Sequence, residues 1–281
     1  MPTVTTAVYT PETDLGMGPR VWAGMVRDLI GGRELIWRLF VRDFSTRYRQ
    51  SFLGYLWALF PPVVATLAFW ALNRSALLPI GQTSMPYVVY VFLGLMVWQL
   101  FSGGLLATTQ SLIGSGSFVS KINFPRETLV IAAFGQSIVE LLLRGVLLAG
   151  LLGWFGVRPA WTIALLPLAL IPLALMTIGL GFFLSPVNGV ARDVANMLTL
   201  VTTFGMFLAP VIYPPPTAWP QVLVNYANPV SPFVIAARDL TTVGTLTQPV
   251  PFVIASIVGV AIFFAGWRGF RLIMPRVLER V

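Results

Sequence analysis

From Phe52 to Leu72 the chain runs 21 residues without a charged side chain. At about 1.5 Å of rise per residue, a helix of that length crosses the ~30 Å hydrocarbon core of a bilayer. In hydrocarbon each backbone N–H and C=O needs a partner within the segment, so the run must be helical. Five more apolar runs follow: Tyr87 to Thr109, Leu129 to Trp154, Trp161 to Leu184, Val194 to Tyr213 and Val250 to Trp267. Pro167 and Pro172 are expected to bend the fourth. Hydrophobic residues make up 57% of the 281 and charged ones 10%, which excludes a soluble domain with one core. The predicted fold class is an all-α polytopic membrane protein with six transmembrane helices.

The residues before the first run set its direction. In Arg33 to Tyr48, Ile36, Phe40, Phe44 and Tyr48 recur at i+4 beside Leu35 and Leu39, while Glu34, Arg38, Arg42 and Arg49 take another face. Such a helix lies in the membrane interface with its arginines towards anionic headgroups. The six-run map places fourteen of the eighteen basic residues on one side, three on the other (Arg74, Arg158, Arg238) and Arg144 within a span. The positive-inside rule then puts both termini in the cytoplasm. The domain reading is residues 1–32 as a cytoplasmic tail with a short helix from Val21 to Ile30, 33–50 as the interfacial helix, 51–267 as the six-span body and 268–281 as a basic cytoplasmic tail. No signal peptide is read at the start.

Composition removes several chemistries. There is no cysteine and no histidine, so thiolate nucleophiles, disulfides and the commonest general base and metal ligand are missing. The single lysine, Lys121, follows Ser120, so no Gly-Lys-Ser/Thr phosphate loop exists. A net charge of +8 raises the question of nucleic acid, but the basic residues punctuate apolar runs and form no polar face.

The wording of the junction narrows the reading. Arg47, Tyr48, Arg49, Gln50, Ser51, Leu53, Gly54, Tyr55, Leu56, Trp57, Ala58, Leu59 and Pro62 stand in an order that resembles the start of the first span in ABC-2 type permeases of polysaccharide exporters. The resemblance continues at Ser117 to Thr128, where a basic residue precedes a Phe-Pro step. It implies a coupling helix there, built on Phe118, Lys121, Phe124, Pro125 and Arg126, that docks into a separate ATPase subunit. The residues alone read equally as a loop fixing the start of the third span. Arg192-Asp193 and the Pro210 to Pro214 segment around the fifth span are similar to the family as well.

Thr217 to Gln248 is too apolar for a free loop. Two short helices, around Trp219 to Tyr226 and Pro232 to Leu240, fit a re-entrant pair, which the family also has; a surface hairpin is the competing reading. Glu140 and Arg144 stand at i, i+4 in the third span, as an intramembrane ion pair that is either structural or a polar point near a conduit. Sugar rings stack on aromatic faces. Tyr55, Trp57, Phe60, Phe69 and Trp70 in the first span, with Phe204, Phe207 and Tyr213 in the fifth, are therefore the candidate substrate pathway; packing is the competing role for each.

The resemblance implies the permease subunit of an ATP-driven exporter of lipid-linked polysaccharide, an O-antigen, capsule or teichoic-acid-like polymer, most readily O-antigen in lipopolysaccharide biosynthesis. It would work as a homodimer in the inner membrane with two ATPase subunits carrying ATP and magnesium, and with no cofactor, enzyme activity or nucleic acid of its own. An ABC-2 exporter of a small molecule or lipid is the alternative. A membrane glycosyltransferase would need a carboxylate cluster, and the ten acids are scattered. The charge map predicts that reporter fusions after Gly116 and Val190 share one side, with those near Thr83 and Thr217 on the other. Swapped sides for either pair would break it.

Overall fold

The run from Tyr87 carries apolar residues around its whole circumference, and such a helix must be surrounded by protein. In the computed structural model it is α4, Tyr87–Gly114, with 18 of its 28 residues buried. Residues 18–48, 54–75, 82–114, 124–216 and 227–278 are described. Helices make up 83% of the structure with no strand among the described residues, so the chain is an all-α polytopic membrane protein. The remaining helices are α1 Pro19–Gly31, α2 Arg33–Tyr48, α3 Phe60–Arg74, α5 Glu127–Trp154, α6 Leu166–Ala169, α7 Ile171–Val190, α8 Asp193–Gly205, α9 Ser231–Thr242 and α10 Pro249–Leu278.

Five helical stretches are long and apolar enough to cross a membrane: Leu56–Arg74, Tyr87–Gly114, Glu127–Trp154, Trp161–Val190 and Pro249–Met274. The predicted fifth span is shorter than expected. Asp193–Leu208 is helical, its last turn 3-10, and Ala209 then becomes extended at φ −106°, ψ 147°. Pro210 follows, and proline drives the residue before it out of the helical region.

Other boundaries move for local reasons. The first span was expected to be one helix from Phe52; instead Gly54 takes φ 49° and a 3-10 turn, Gly54–Ala58, precedes α3. The fourth breaks near its prolines, as expected, into Trp161–Leu165, α6 and α7. Yet α7 runs through Pro186 to Val190, where the sequence was expected to leave the membrane. Asn188 holds this end, donating to the Thr109 carbonyl at 3.2 Å and accepting from the Ala195 amide at 3.1 Å. The expected basic tail is helix as far as Leu278, and Arg268 in it is buried.

The spans cross closely because small residues sit at the crossings, the usual basis of packing in lipid. A Cβ at Gly266 would lie 2.2 Å from the Gly179 carbonyl oxygen, and one at Gly259 would lie 2.7 Å from that of Pro172, so α7 and α10 touch backbone to backbone. A Cβ at Gly181 would meet the Thr108 hydroxyl at 2.3 Å, fixing α4 on α7. On the basic face, α2 lies against α5, with Leu39 buried and Phe40 seated over Gly135. Helix α1 packs on α10 through Trp22, edge-on to Phe264 at 5.5 Å.

These crossings generate a paired expectation. Gly266→Ala forces two backbones apart and should lower stability by about 1–3 kcal/mol. Gly150→Ala meets nothing within 4 Å and should be neutral or slightly stabilising. Thermal unfolding in detergent checks both; equal effects would remove the packing argument.

Candidate conduit faces and their supporting clamp

The non-helical backbone after α8 must be satisfied away from water. Three side chains do this for four consecutive carbonyls. Arg238 donates to Pro210 at 2.5 Å and to Val211 at 2.6 Å. The Tyr87 hydroxyl donates to Ile212 and the Tyr90 hydroxyl to Tyr213, each at 3.0 Å. Arg238 also donates to the Tyr90 hydroxyl at 2.7 Å and lies 3.4 Å from the centre of that ring. Gly94 makes the room: a Cβ there would sit 2.6 Å from both Arg238 Nη2 and the Val211 carbonyl oxygen.

Arg238 belongs to α9, whose residues from Ser231 to Thr241 are all buried. The far end of α9 is tied to the fourth span, with the Ala160 amide on the Thr241 carbonyl and the Thr162 hydroxyl on that of Leu240. Asp239 turns away from Arg238 and accepts from the amide and hydroxyl of Thr247. The buried guanidinium is therefore held mainly by carbonyl dipoles and a tyrosine.

The clamped segment ends a helix whose outward face is apolar and aromatic. On α8 and its last turn, Met197, Leu200, Phe204 and Phe207 are exposed, Phe204 at 66%. On α3 and the turn before it, Leu56, Trp57, Phe60, Val64, Leu67 and Trp70 are exposed. Between α8 and α4 lies an apolar cleft of about 340 Å³, lined by Trp98, Phe101, Leu105, Leu198, Val201 and Leu208.

The sequence of this helical chain matches a family profile, that of the ABC-2 type transporters, over residues 34–241. The chain belongs to the ABC-2 type transporter family. It is similar to the O-antigen export system permease protein RfbA of Myxococcus xanthus, 26% identical over 190 residues, covering 68% of this chain and 72% of that protein. Two Klebsiella pneumoniae proteins of the same name are 24% and 23% identical, each covering 79% of this chain and 88% of its relative.

Within this ABC-2 chain the candidate pathway residues separate. Trp57, Phe60, Trp70, Phe204 and Phe207 are exposed. Phe69 and Tyr213 instead pack against the main core, and the Tyr213 hydroxyl donates to the Phe207 carbonyl at 3.1 Å. The Tyr55 side chain lies outside the described residues. So do Phe118 and Lys121 of the coupling segment. Phe124, expected as a docking anchor, is placed inward. It is buried in the chain's own second core with Met25, Leu112, Leu129 and Phe270, because the turn at Pro125 points it inward. Pro125 and Arg126 are half-buried. Of the two short helices expected between the last two spans, α9 covers the second, and the first, Trp219 to Tyr226, lies outside the described residues.

Arg144 donates to Glu140 at 2.8 Å, and Gln136 donates to the other oxygen at 2.9 Å, making a string of three along α5. Two clusters escaped the sequence reading. The charge map counts Arg238 with the basic residues of one side and gives no sign that it is buried; a charged pair inside an apolar helical segment is the available signal. Arg271 was read as part of the tail, but donates to Glu127 at 2.7 Å and to Asp28, joining α10, α5 and α1.

The clamp predicts an order. Arg238→Met strands two carbonyls at about 1–3 kcal/mol each, Tyr90→Phe strands one and removes an acceptor from Arg238, and Tyr87→Phe strands one. Loss of thermal stability should follow that order. A Tyr87→Phe chain less stable than Arg238→Met would overturn the account.

Proposed function

We propose that this chain is the permease half of an ATP-driven exporter that moves a lipid-linked polysaccharide, O-antigen by its relatives' names, across the inner membrane. The observation that carries the reading is the pair of aromatic faces on α3 and α8 in a chain similar to O-antigen export permeases. Two such faces from each of two copies would enclose a conduit that one copy leaves open. Ring faces stack on the apolar faces of sugars and, being uncharged, let a polymer slide.

Energy enters from two separate ATPase subunits, which hold ATP and magnesium. This chain's own sequence has no Gly-Lys-Ser/Thr, and the described residues form no carboxylate cluster for a metal. Both termini face the cytoplasm in this assignment, so α1, α2 and the ion cluster of Asp28, Glu127 and Arg271 receive the ATPase stroke. With Phe124 occupied inside the chain, docking falls to Pro125, Arg126 and the segment before them.

The absence of native cysteine makes the test direct. Cysteines at Trp57, Phe60, Phe204 and Phe207 should react with a water-soluble thiol reagent during export and be protected when polymer is stalled. Cysteines at Phe69 and Tyr213 should stay unreactive. Alanine at one exposed aromatic should slow export about fivefold, taking roughly 1 kcal/mol per ring contact. Four positions indifferent to stalled polymer would place these faces against lipid and end the conduit assignment.

A further inference from the structure

We propose a second carbohydrate site in this chain: a cleft on its basic face that takes one neutral, hydroxyl-rich sugar unit of the exported polymer before it reaches the conduit. The proposal rests on the exporter reading. The cleft lies between α2 and the facing ends of α4 and α5, has a volume of about 260 Å³, and is lined by Phe40, Asp43, Phe44, Gln110, Ser111 and Gln136 among others. Ligand clefts for drug-sized molecules span roughly 300–1,000 Å³, so this one suits a single ring better than a length of chain.

Its walls divide by chemistry. Phe40 and Phe44 lie one helical turn apart with ring centres 5.6 Å apart and planes 25° from parallel. Phe40 is locked by Gly135, where a Cβ would approach its ring to 2.8 Å. The pair gives an aromatic wall for the C–H face of a sugar. The polar wall offers both donors and acceptors. The Gln110 amide is exposed and makes no hydrogen bond among the described residues. Gln136 donates to Glu140 and keeps its amide oxygen as an acceptor. Ser111 donates to the Thr108 carbonyl at 2.7 Å, so its hydroxyl can accept. Asp43 meets Arg42 through Oδ1 in both contacts, at 2.7 and 2.8 Å.

Charge decides between a sugar and a lipid phosphate. The lining residues include one acid and no base, and that acid is paired with Arg42. An anionic headgroup would meet a carboxylate there, whereas hydroxyl donors meet carboxylate, amide and hydroxyl oxygens.

Gln110→Cys in the full-length chain, held with its ATPase subunits in nanodiscs, reads occupancy directly. A water-soluble maleimide should label it, and lipid-linked polysaccharide extracted from the source cells should slow labelling at least fivefold. Replacing phosphatidylethanolamine by phosphatidylglycerol should leave the rate unchanged. Asp43→Asn and Phe44→Ala, each added to Gln110→Cys, should raise the polysaccharide concentration for half-protection about tenfold. Protection by phosphatidylglycerol instead makes the cleft a headgroup site and overturns the proposal. So does a labelling rate indifferent to polysaccharide. Parallel Phe204→Cys protection separates the failures: if it persists while Gln110→Cys is unprotected, the exporter reading stands and the cleft alone is wrong. If neither is protected, both fall.

Discussion

The structure turns on four backbone carbonyls in a row. Residues 210–213 leave the helical path inside an apolar protein, where each unmet carbonyl costs about 1–3 kcal/mol. Arg238, Tyr87 and Tyr90 meet all four. One guanidinium serves two carbonyls because its donors are fixed in a planar fork. The arrangement has two dependencies. Gly94 must lack a side chain, and α9 must be buried to carry Arg238 to depth. In return, the Ala209 end of α8 is fixed to α4 and α9, while Met197, Leu200, Phe204 and Phe207 along its length stay exposed. A helix pinned at one end and open along one side can tilt without losing its anchor.

The rest of the membrane body is rigid by a different device. The α7–α10 crossing puts backbone on backbone at Gly179 and Gly266, and α4 meets α7 at Gly181. Such contacts gain dispersion energy over a short distance and tolerate no intervening methyl. Helices α4, α7 and α10 are thus held together by close backbone approaches. By contrast, α3 touches mainly α4, and α8 touches α4 and the end of α7. Both carry exposed aromatics, Trp57, Phe60 and Trp70 at α3 and Phe204 and Phe207 at α8, as do other helices at Trp37, Trp154 and Phe264.

Much of this was legible in the residues. Uncharged runs of sufficient length give the spans, and the i+4 aromatics of α2 give the face that lies on α5. The Glu140–Arg144 pair follows from spacing alone. Other features needed three dimensions. Periodicity cannot show that Phe124 turns into the chain's own core, or that Phe69 packs inward while Trp70 beside it does not, since both depend on which neighbours arrive. The early end of α8 was readable at Ala209-Pro210, but a preference for apolar length outweighed it. The burial of Arg238 was not legible because assigning cations to one side or the other says nothing of their depth. A buried arginine is held by partners distant in sequence, here Tyr90 and Val211, which no local pattern reveals.

The opposite face shows how motion can enter this frame. Arg271 stands between Glu127, the first residue of α5, and Asp28 near the end of α1. Its side chain and that of Asp28 remain partly exposed, so solvent screens their attraction and it can yield to an applied load. Glu127 is almost wholly buried, so its contact with Arg271 is the harder of the two to break. A push on α1 or α2 would therefore loosen Asp28 first and leave α5 and α10 joined. In sequence α2 precedes the turn at Gly54 and α3, which packs mainly on α4. Under the proposed exporter reading, force applied at the basic face would reach α3 along the chain, while α4, α7 and α10 stay joined at their glycine crossings.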